Sequence, residues 1–193
     1  MKFTTRELVL IPLFTALMVV GAKLSIPFPA VPITFQLFFC VYAGLLLGAR
    51  NGFISQLLYI AIGLIGLPVF TYGGGPQYVF NPTFGYIIGF ALCSLILGVF
   101  VDRMKEIKFV KLLLVSLIGY FCIYIFGNIY FYLIKDLYVG EPIALSAIFK
   151  MMVPYMIKDL VLVAIAVYTS TTILPILRKA GIYHNPKGAA NVS

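Results

Sequence analysis

Apolar residues run in long blocks along this chain, and most charged residues lie in the gaps between them. Uninterrupted apolar stretches cover about residues 8–26, 33–48, 53–70, 83–101, 110–134 and 153–177. Each is close to the length of about 20 residues that a helix needs to cross the hydrocarbon core of a bilayer. No water reaches that core, so a spanning segment must satisfy its own backbone polar groups, and a helix does so. The pattern predicts an all-α integral membrane protein with six transmembrane helices in one bundle. No linker, low-complexity tract or repeat divides the chain, so residues 1–193 read as a single transmembrane domain.

Composition agrees with that reading. Apolar residues make up 62% of the chain and charged residues 10%, and the mean hydropathy is +1.07, outside the soluble globular range. Six spans leave no room for a soluble domain. Neither a GxxxxGK[ST] nor a GxGxxG run occurs, so if ATP drives this protein, another chain binds it. The net charge of +8 would suggest nucleic acid in a soluble protein, but in a membrane protein the position of each cation matters more than the total.

With the amino terminus in the cytoplasm, the inner segments hold Lys2, Arg6, Arg50, Arg103, Lys105, Lys108, Lys111, Arg178, Lys179 and Lys187. The outer segments and span ends hold Lys23, Lys135, Lys150 and Lys158. That asymmetry follows the positive-inside rule and predicts that both termini are cytoplasmic. The first stretch follows Lys2 and Arg6 as a signal peptide's apolar region would, but it is long and no A-x-A site follows it, so it reads as a span.

Cys40, Cys93 and Cys122 all fall inside spans, where they read as small apolar filler rather than as a disulfide framework. The single histidine, His184, sits in the carboxy-terminal tail beside Asn185 and Pro186. With no Cys or His cluster at ligand spacing, no metal site is expected. Gly44, Gly48 and Gly52 are four apart, as are Gly85 and Gly89, and these GxxxG pairs are expected to seam the bundle. Trp is absent, so tyrosines must supply the interfacial belt, and Tyr120, Tyr124, Tyr130, Tyr132 and Tyr138 read as belt and bundle residues.

Three features near the outer face carry the candidate chemistry. The connection from Ile26 to Gln36 holds Pro27, Pro29 and Pro32, which cannot continue a helix and favour a stiff extended segment. It is either a plain turn or an apolar strap that carries Phe28, Phe35 and Gln36 over a ligand. The second connection, Leu67 to Tyr86, is uncharged and aromatic. Gly73, Gly74 and Gly75 permit close backbone approach, and Tyr72, Tyr78, Phe80 and Phe84 offer flat apolar walls. Asn81 either opens a turn before Pro82 or presents its two-way amide to a ligand.

The third feature is the pair Lys158 and Asp159, inside the start of the last span. An ionisable residue at that depth is costly and faces a cavity or a partner, which makes Asp159 the foremost candidate. Adjacent helical residues point about 100° apart. A simple face-on pair is therefore not expected, with one residue lining a cavity while the other snorkels.

The segments VPITFQ, AGLLLG, SQLLYIAIGLIGLPVF, GGG, NPTFGY and PYMIKDL, in that order, resemble the BioY family, the biotin-specific S components of energy-coupling factor (ECF) transporters. The resemblance covers essentially the whole chain and is densest from Pro32 to Phe90. It implies a six-helix subunit of a bacterial cell membrane that binds biotin near the outer face, needs no cofactor and is not an enzyme. It also implies docking on a transmembrane coupling protein, the T component, that carries two ABC-type ATPases.

By the same resemblance, Asp159 would accept a ureido N–H of biotin, and Asn81 would serve the ureido group. Tyr72, Tyr78 and Phe84 would pack on the bicycle, with Gln36 and Tyr86 nearby. Lys158 or a backbone N–H of Gly73, Gly74 or Gly75 would meet the carboxylate. The family pattern usually has a lysine three residues after the aspartate. Leu162 stands there, and Lys158, one turn earlier, would replace that cation. An Ala-x-x-x-Ala docking patch is only partly kept in the first span, and Thr15, Ala16, Gly21 and Ala22 are its candidates. Two rival classes remain: an ion-coupled secondary transporter of a small carboxylate, for which no inverted broken helices are seen, and an integral-membrane lipid-modifying enzyme, for which no catalytic constellation is seen.

Overall fold

The structure is a computed structural model that describes residues 3–28 and 31–181. Lys2, Pro29, His184, Asn185, Pro186 and Lys187 lie outside the described residues. The chain is all-helical: α1 (Thr5–Lys23), α2 (Gln36–Ile65), α3 (Phe84–Arg103), α4 (Phe109–Ile134) and α5 (Leu145–Lys179). A short 3₁₀ turn spans Pro76–Phe80, and a wider π turn at Lys135–Val139 prolongs α4. Among the described residues no strand forms; Ile26 with Ile33 and Phe70 with Gly73 make isolated antiparallel bridges.

Five helices are long and apolar enough to cross a membrane, where the sequence pattern predicts six. The difference lies in α2, which contains both the second and the third apolar stretch. At Gly48 the backbone leaves the helical region, with φ 76° and ψ −178°, a conformation that essentially only glycine adopts. The chain folds back there. In a straight helix Gln36 and Tyr59 would lie about 35 Å apart, yet the Gln36 Nε2 donates to the Tyr59 hydroxyl at 3.0 Å. A Cβ on Gly52 would come within 2.7 Å of the Ala43 carbonyl oxygen, so the two limbs touch directly beyond the bend.

The last helix also departs from expectation. It begins at Leu145, eight residues before the apolar stretch, and it contains Pro154 and Pro175. Lys158 and Asp159 are therefore well inside it.

Small residues set the helix spacing. Gly44 faces Leu97 and the Ser94 backbone of α3, and Gly89 faces the Ile123 backbone of α4, each so closely that a Cβ would come within 3 Å. Close backbone approach of this kind drives association where lipid already satisfies apolar surface. α4 shows how the pattern sorts: Val110, Leu114, Ile118, Phe121, Ile125 and Ile129 form an exposed apolar stripe. Its opposite face buries Ser116, Gly119, Tyr120, Tyr124, Gly127 and Asn128.

The candidate docking patch resolves differently from its expectation. Thr15, Gly21 and Ala22 are buried in the bundle. The Thr15 hydroxyl donates to the Ser55 carbonyl of α2 at 2.9 Å, and Gly21 lies against Phe39 and the Gln36 backbone. Their small size serves the packing of α1 on α2. Only Ala16 of the four is exposed.

The two ends of the bundle differ in polarity. At one end Arg6 donates to the Gly181 carbonyl at 2.6 Å, which brings the two described ends of the chain together. Arg50 pairs with Glu7 at 3.2 Å, and Arg178 donates to the Val101 and Met104 carbonyls that end α3. The Pro-rich and Gly-rich connections occupy the other end. Replacing Gly48 with alanine forces an L side chain into a glycine-only conformation, and a loss of about 1–3 kcal/mol in folding stability is expected. A lowered melting temperature of the detergent-purified variant checks it; an unchanged one would show that the fold-back needs no glycine.

Candidate ligand-binding site

A cavity of about 640 Å³, including its open mouth, lies at the loop-bearing end, between the first and second connections and α3, α4 and α5. Val31, Pro32, Thr34 and Gln36 line it from the first connection, and Thr71, Tyr72, Tyr78 and Thr83 from the second. The helices add Tyr86, Ile87 and Phe90 from α3, Ile123 and Tyr124 from α4, and Met152, Tyr155, Lys158 and Asp159 from α5.

The polar centre is built around Asp159, which is 7% exposed. A carboxylate enclosed this far must be paired and hydrogen-bonded. The Tyr124 hydroxyl donates to Asp159 Oδ2 at 2.6 Å, and Lys158 forms an ion pair with Oδ1. The expectation that one of Lys158 and Asp159 would line a cavity while the other snorkels is thus corrected: they are not a face-on pair, but they do pair. Their Cα–Cβ bonds diverge, but the four-carbon lysine stem is long enough to bring the ammonium back to its neighbour. Lys158 Nζ also donates to the Thr34 carbonyl at 2.7 Å, so it is turned inward rather than snorkelling out.

The first connection is held over the cavity. Ile26 and Ile33 exchange backbone hydrogen bonds of 2.8 and 2.9 Å, which joins the two sides of the proline-rich segment. The Tyr155 hydroxyl accepts from the Val31 N–H at 3.0 Å and donates to the Val31 carbonyl at 2.5 Å. Phe28 meets the Tyr155 ring edge-on at 5.4 Å. Tyr155 and Lys158, one turn apart on α5, are the points at which this strap is fastened.

The second connection is folded around Phe70. Its ring is fully buried against Tyr59, Tyr78 and Phe84, and Gly63 leaves room for it. Lys23 donates to the Phe70 carbonyl at 2.9 Å. Burial pushes the Tyr72 and Tyr78 phenols above their ordinary range, so both stay neutral hydrogen-bonding groups at physiological pH.

Six candidate residues line the cavity: Asp159, Lys158, Tyr72, Tyr78, Tyr86 and Gln36. The others stand behind the lining. Asn81 Oδ1 accepts from the Thr83 N–H at 2.9 Å and from its hydroxyl at 2.7 Å, so Asn81 makes the turn before α3 and positions Thr83, which does face the cavity. Gly73 and Gly75 have their N–H groups bonded to the Phe70 and Gly63 carbonyls. Gly74 packs against the Leu67 carbonyl, and Phe84 belongs to the Phe70 cluster. Phe80 leaves the site altogether and stacks on Tyr138.

Sequence reasoning did not place Tyr124 and Tyr155 in the site, and it read Tyr124 as a belt and bundle residue. Tyr120, Tyr124 and Asn128 are four apart on α4, so they share one helical face, and a polar stripe on an otherwise apolar span was the available signal. Asn128 is fully buried and accepts from the Tyr86 hydroxyl at 2.6 Å.

The fold and the cavity together define a multi-pass membrane protein with a cavity at one end of its helix bundle. More specifically, the chain belongs to the BioY family, whose profile it matches over residues 1–179. It is 47% identical over 146 residues, 76% of this chain and 74% of the relative, to the "Probable biotin transporter BioY" of Lysinibacillus sphaericus. It is 35% identical over 163 residues, 84% of this chain and 92% of the relative, to a protein of the same description from Pyrococcus horikoshii. Among solved structures, the S-component for biotin from an ECF-type ABC transporter superposes with a TM-score of 0.77 at 24% identity, covering 90% of this chain and 95% of that one. FolT bound with folic acid superposes with a TM-score of 0.59 at 20% identity, covering 88% of this chain and 91% of that one. At these identities the two structures speak to the fold.

Asn81→Ala is expected to release Thr83 while leaving the core intact. Faster amide hydrogen exchange confined to residues 78–86 would show it; protection equal to wild type there would mean that the turn holds without the asparagine.

Proposed function

We propose that this chain is the biotin-binding S component of an ECF-type vitamin uptake transporter in a bacterial cytoplasmic membrane. It captures biotin in the outer cavity and delivers it inward while docked to a T component and two ABC-type ATPases. In this reading the two limbs of α2 count as separate spans, giving six. The end that carries Arg6, Arg50, Arg103 and Arg178 faces the cytoplasm, with both termini there, as the positive-inside rule requires. The cavity then opens outward.

The observation that carries the proposal is the enclosed Lys158–Asp159 pair, set in a cavity of aromatic and aliphatic walls. Biotin combines a neutral cyclic urea, an apolar thiolane and a carboxylate tail. Asp159 and Lys158 touch, so they meet the same end of an extended ligand. A carboxylate beside Asp159 would be repelled, whereas a urea complements an acceptor next to a donor. The ureido N–H therefore donates to Asp159 in a charge-assisted bond, and its carbonyl accepts from Lys158. Ile87, Phe90, Ile123 and Met152 hold the bicycle, and the tail runs toward the Thr71, Tyr72 and Thr83 side. Asn81 and Phe84 act by shaping that wall.

Calorimetric titration of the detergent-purified protein tests the proposal. Tight binding of biotin is expected, and Asp159→Ala should weaken it by about 1–3 kcal/mol or more, since charge is involved. Lys158→Met should weaken biotin and its methyl ester alike. A loss for biotin that spares the ester would assign Lys158 to the carboxylate instead, and no heat with biotin at all would overturn the function.

A further inference from the structure

Asn128 lies behind the cavity wall. It is fully buried in the middle of an apolar helix, a position at which a polar amide is costly unless something requires it. Its Oδ1 accepts from the Tyr86 hydroxyl at 2.6 Å, and its Nδ2 has no partner among the described residues. Tyr86 is thus the one group there whose bond accounts for the amide. The neighbouring Gly127 serves the same contact: a side chain at that position would run into the Tyr86 ring, so glycine lets the ring lie against α4 and the hydroxyl reach Asn128.

This arrangement decides the hydrogen-bond polarity of the wall. A phenol has one proton and two lone pairs. The Tyr86 proton is committed to Asn128, so toward the cavity Tyr86 can only accept. Tyr124, four residues before Asn128, has its own proton committed to Asp159 Oδ2, and its oxygen likewise can only accept. Tyr86 and Tyr124 on the α3–α4 wall therefore present acceptors beside the Asp159 carboxylate of α5, and Lys158 is the donor set next to them.

We infer that Asn128 is a specificity-determining residue that never touches the ligand: by holding the Tyr86 proton, it makes Tyr86 an obligate acceptor for a second N–H of the ligand's cyclic urea. A site built to receive two N–H groups rejects a ligand in which one of them is replaced, because a buried acceptor is then left unpaired. The inference rests on the biotin reading and adds a residue to it.

The test is a double-mutant cycle on the full-length protein, read by titration with biotin and with biotin methylated on either ureido nitrogen. Asn128→Leu should weaken biotin about tenfold and narrow the preference for biotin over at least one N-methyl isomer. Tyr86→Phe should do the same, and the double variant should be no weaker than Tyr86→Phe alone. Asn128→Asp, which keeps an acceptor oxygen in either protonation state, should retain the preference. Wild-type affinity in Asn128→Leu, or losses that add in full, overturns the inference. Should the leucine variant fail to fold, Tyr86→Phe alone decides, since unchanged affinity there removes the acceptor role. Wild-type protein that ignores biotin would instead sink the function itself, a result visible before any variant is compared.

Discussion

A carboxylate withdrawn from water into an apolar bundle must be surrounded by its own partners, and the loop-bearing half of this structure is organised by that requirement. Asp159 cannot be stable there alone. Its two oxygens draw Tyr124 from α4 and Lys158 from α5, and Lys158 in turn takes the Thr34 carbonyl of the first connection. One buried charge thereby ties together two helices and a loop that are far apart in sequence. Loss of a single partner would leave an uncompensated group in a low-dielectric site. The same polar cluster that stabilises the cavity is the part of it able to read a ligand.

The cavity exists because packing is tight elsewhere. Gly44, Gly52 and Gly89 bring backbones into contact along the seams, and the fold-back at Gly48 divides α2 into two antiparallel limbs. At the loop-bearing end the small residues give way to rings, and Phe70, Tyr78 and Phe84 hold the second connection away from the helix axes. The space between is lined by side chains that already have partners and so need little reorganisation to receive a ligand. Preorganisation of that kind lowers the entropic cost of binding. Tyr155, which bonds both the N–H and the carbonyl of Val31, extends it to the strap.

Much of the architecture was legible in sequence because its cause is local. Apolar block length, set against the thickness of a bilayer, gave the helices, and cation placement gave the polarity of the bundle. The hairpin in α2 was legible only in part. The apolar pattern separates two stretches, but nothing local tells that helix resumes directly after Gly48 and continues to Ile65. Candidate site residues were found where rarity marked them, as at Asp159 and Lys158. Elsewhere a residue type had two uses: Asn81 bonds Thr83 in the turn before α3, and Thr15, Gly21 and Ala22 are buried in helix packing.

The chain by itself determined that it would be a membrane bundle, which end would be basic, and that a charged pair would sit inside its last helix, since each follows from composition along one dimension. Only the tertiary structure decided that Lys158 bends back onto Asp159, that Tyr124 caps the carboxylate, and that Tyr86 reaches across Gly127 to Asn128. Those contacts join residues 35 to 42 positions apart or depend on where a flexible stem points. Periodicity reports which face of a helix a residue occupies, but the partner on the facing helix is set by how the helices pack.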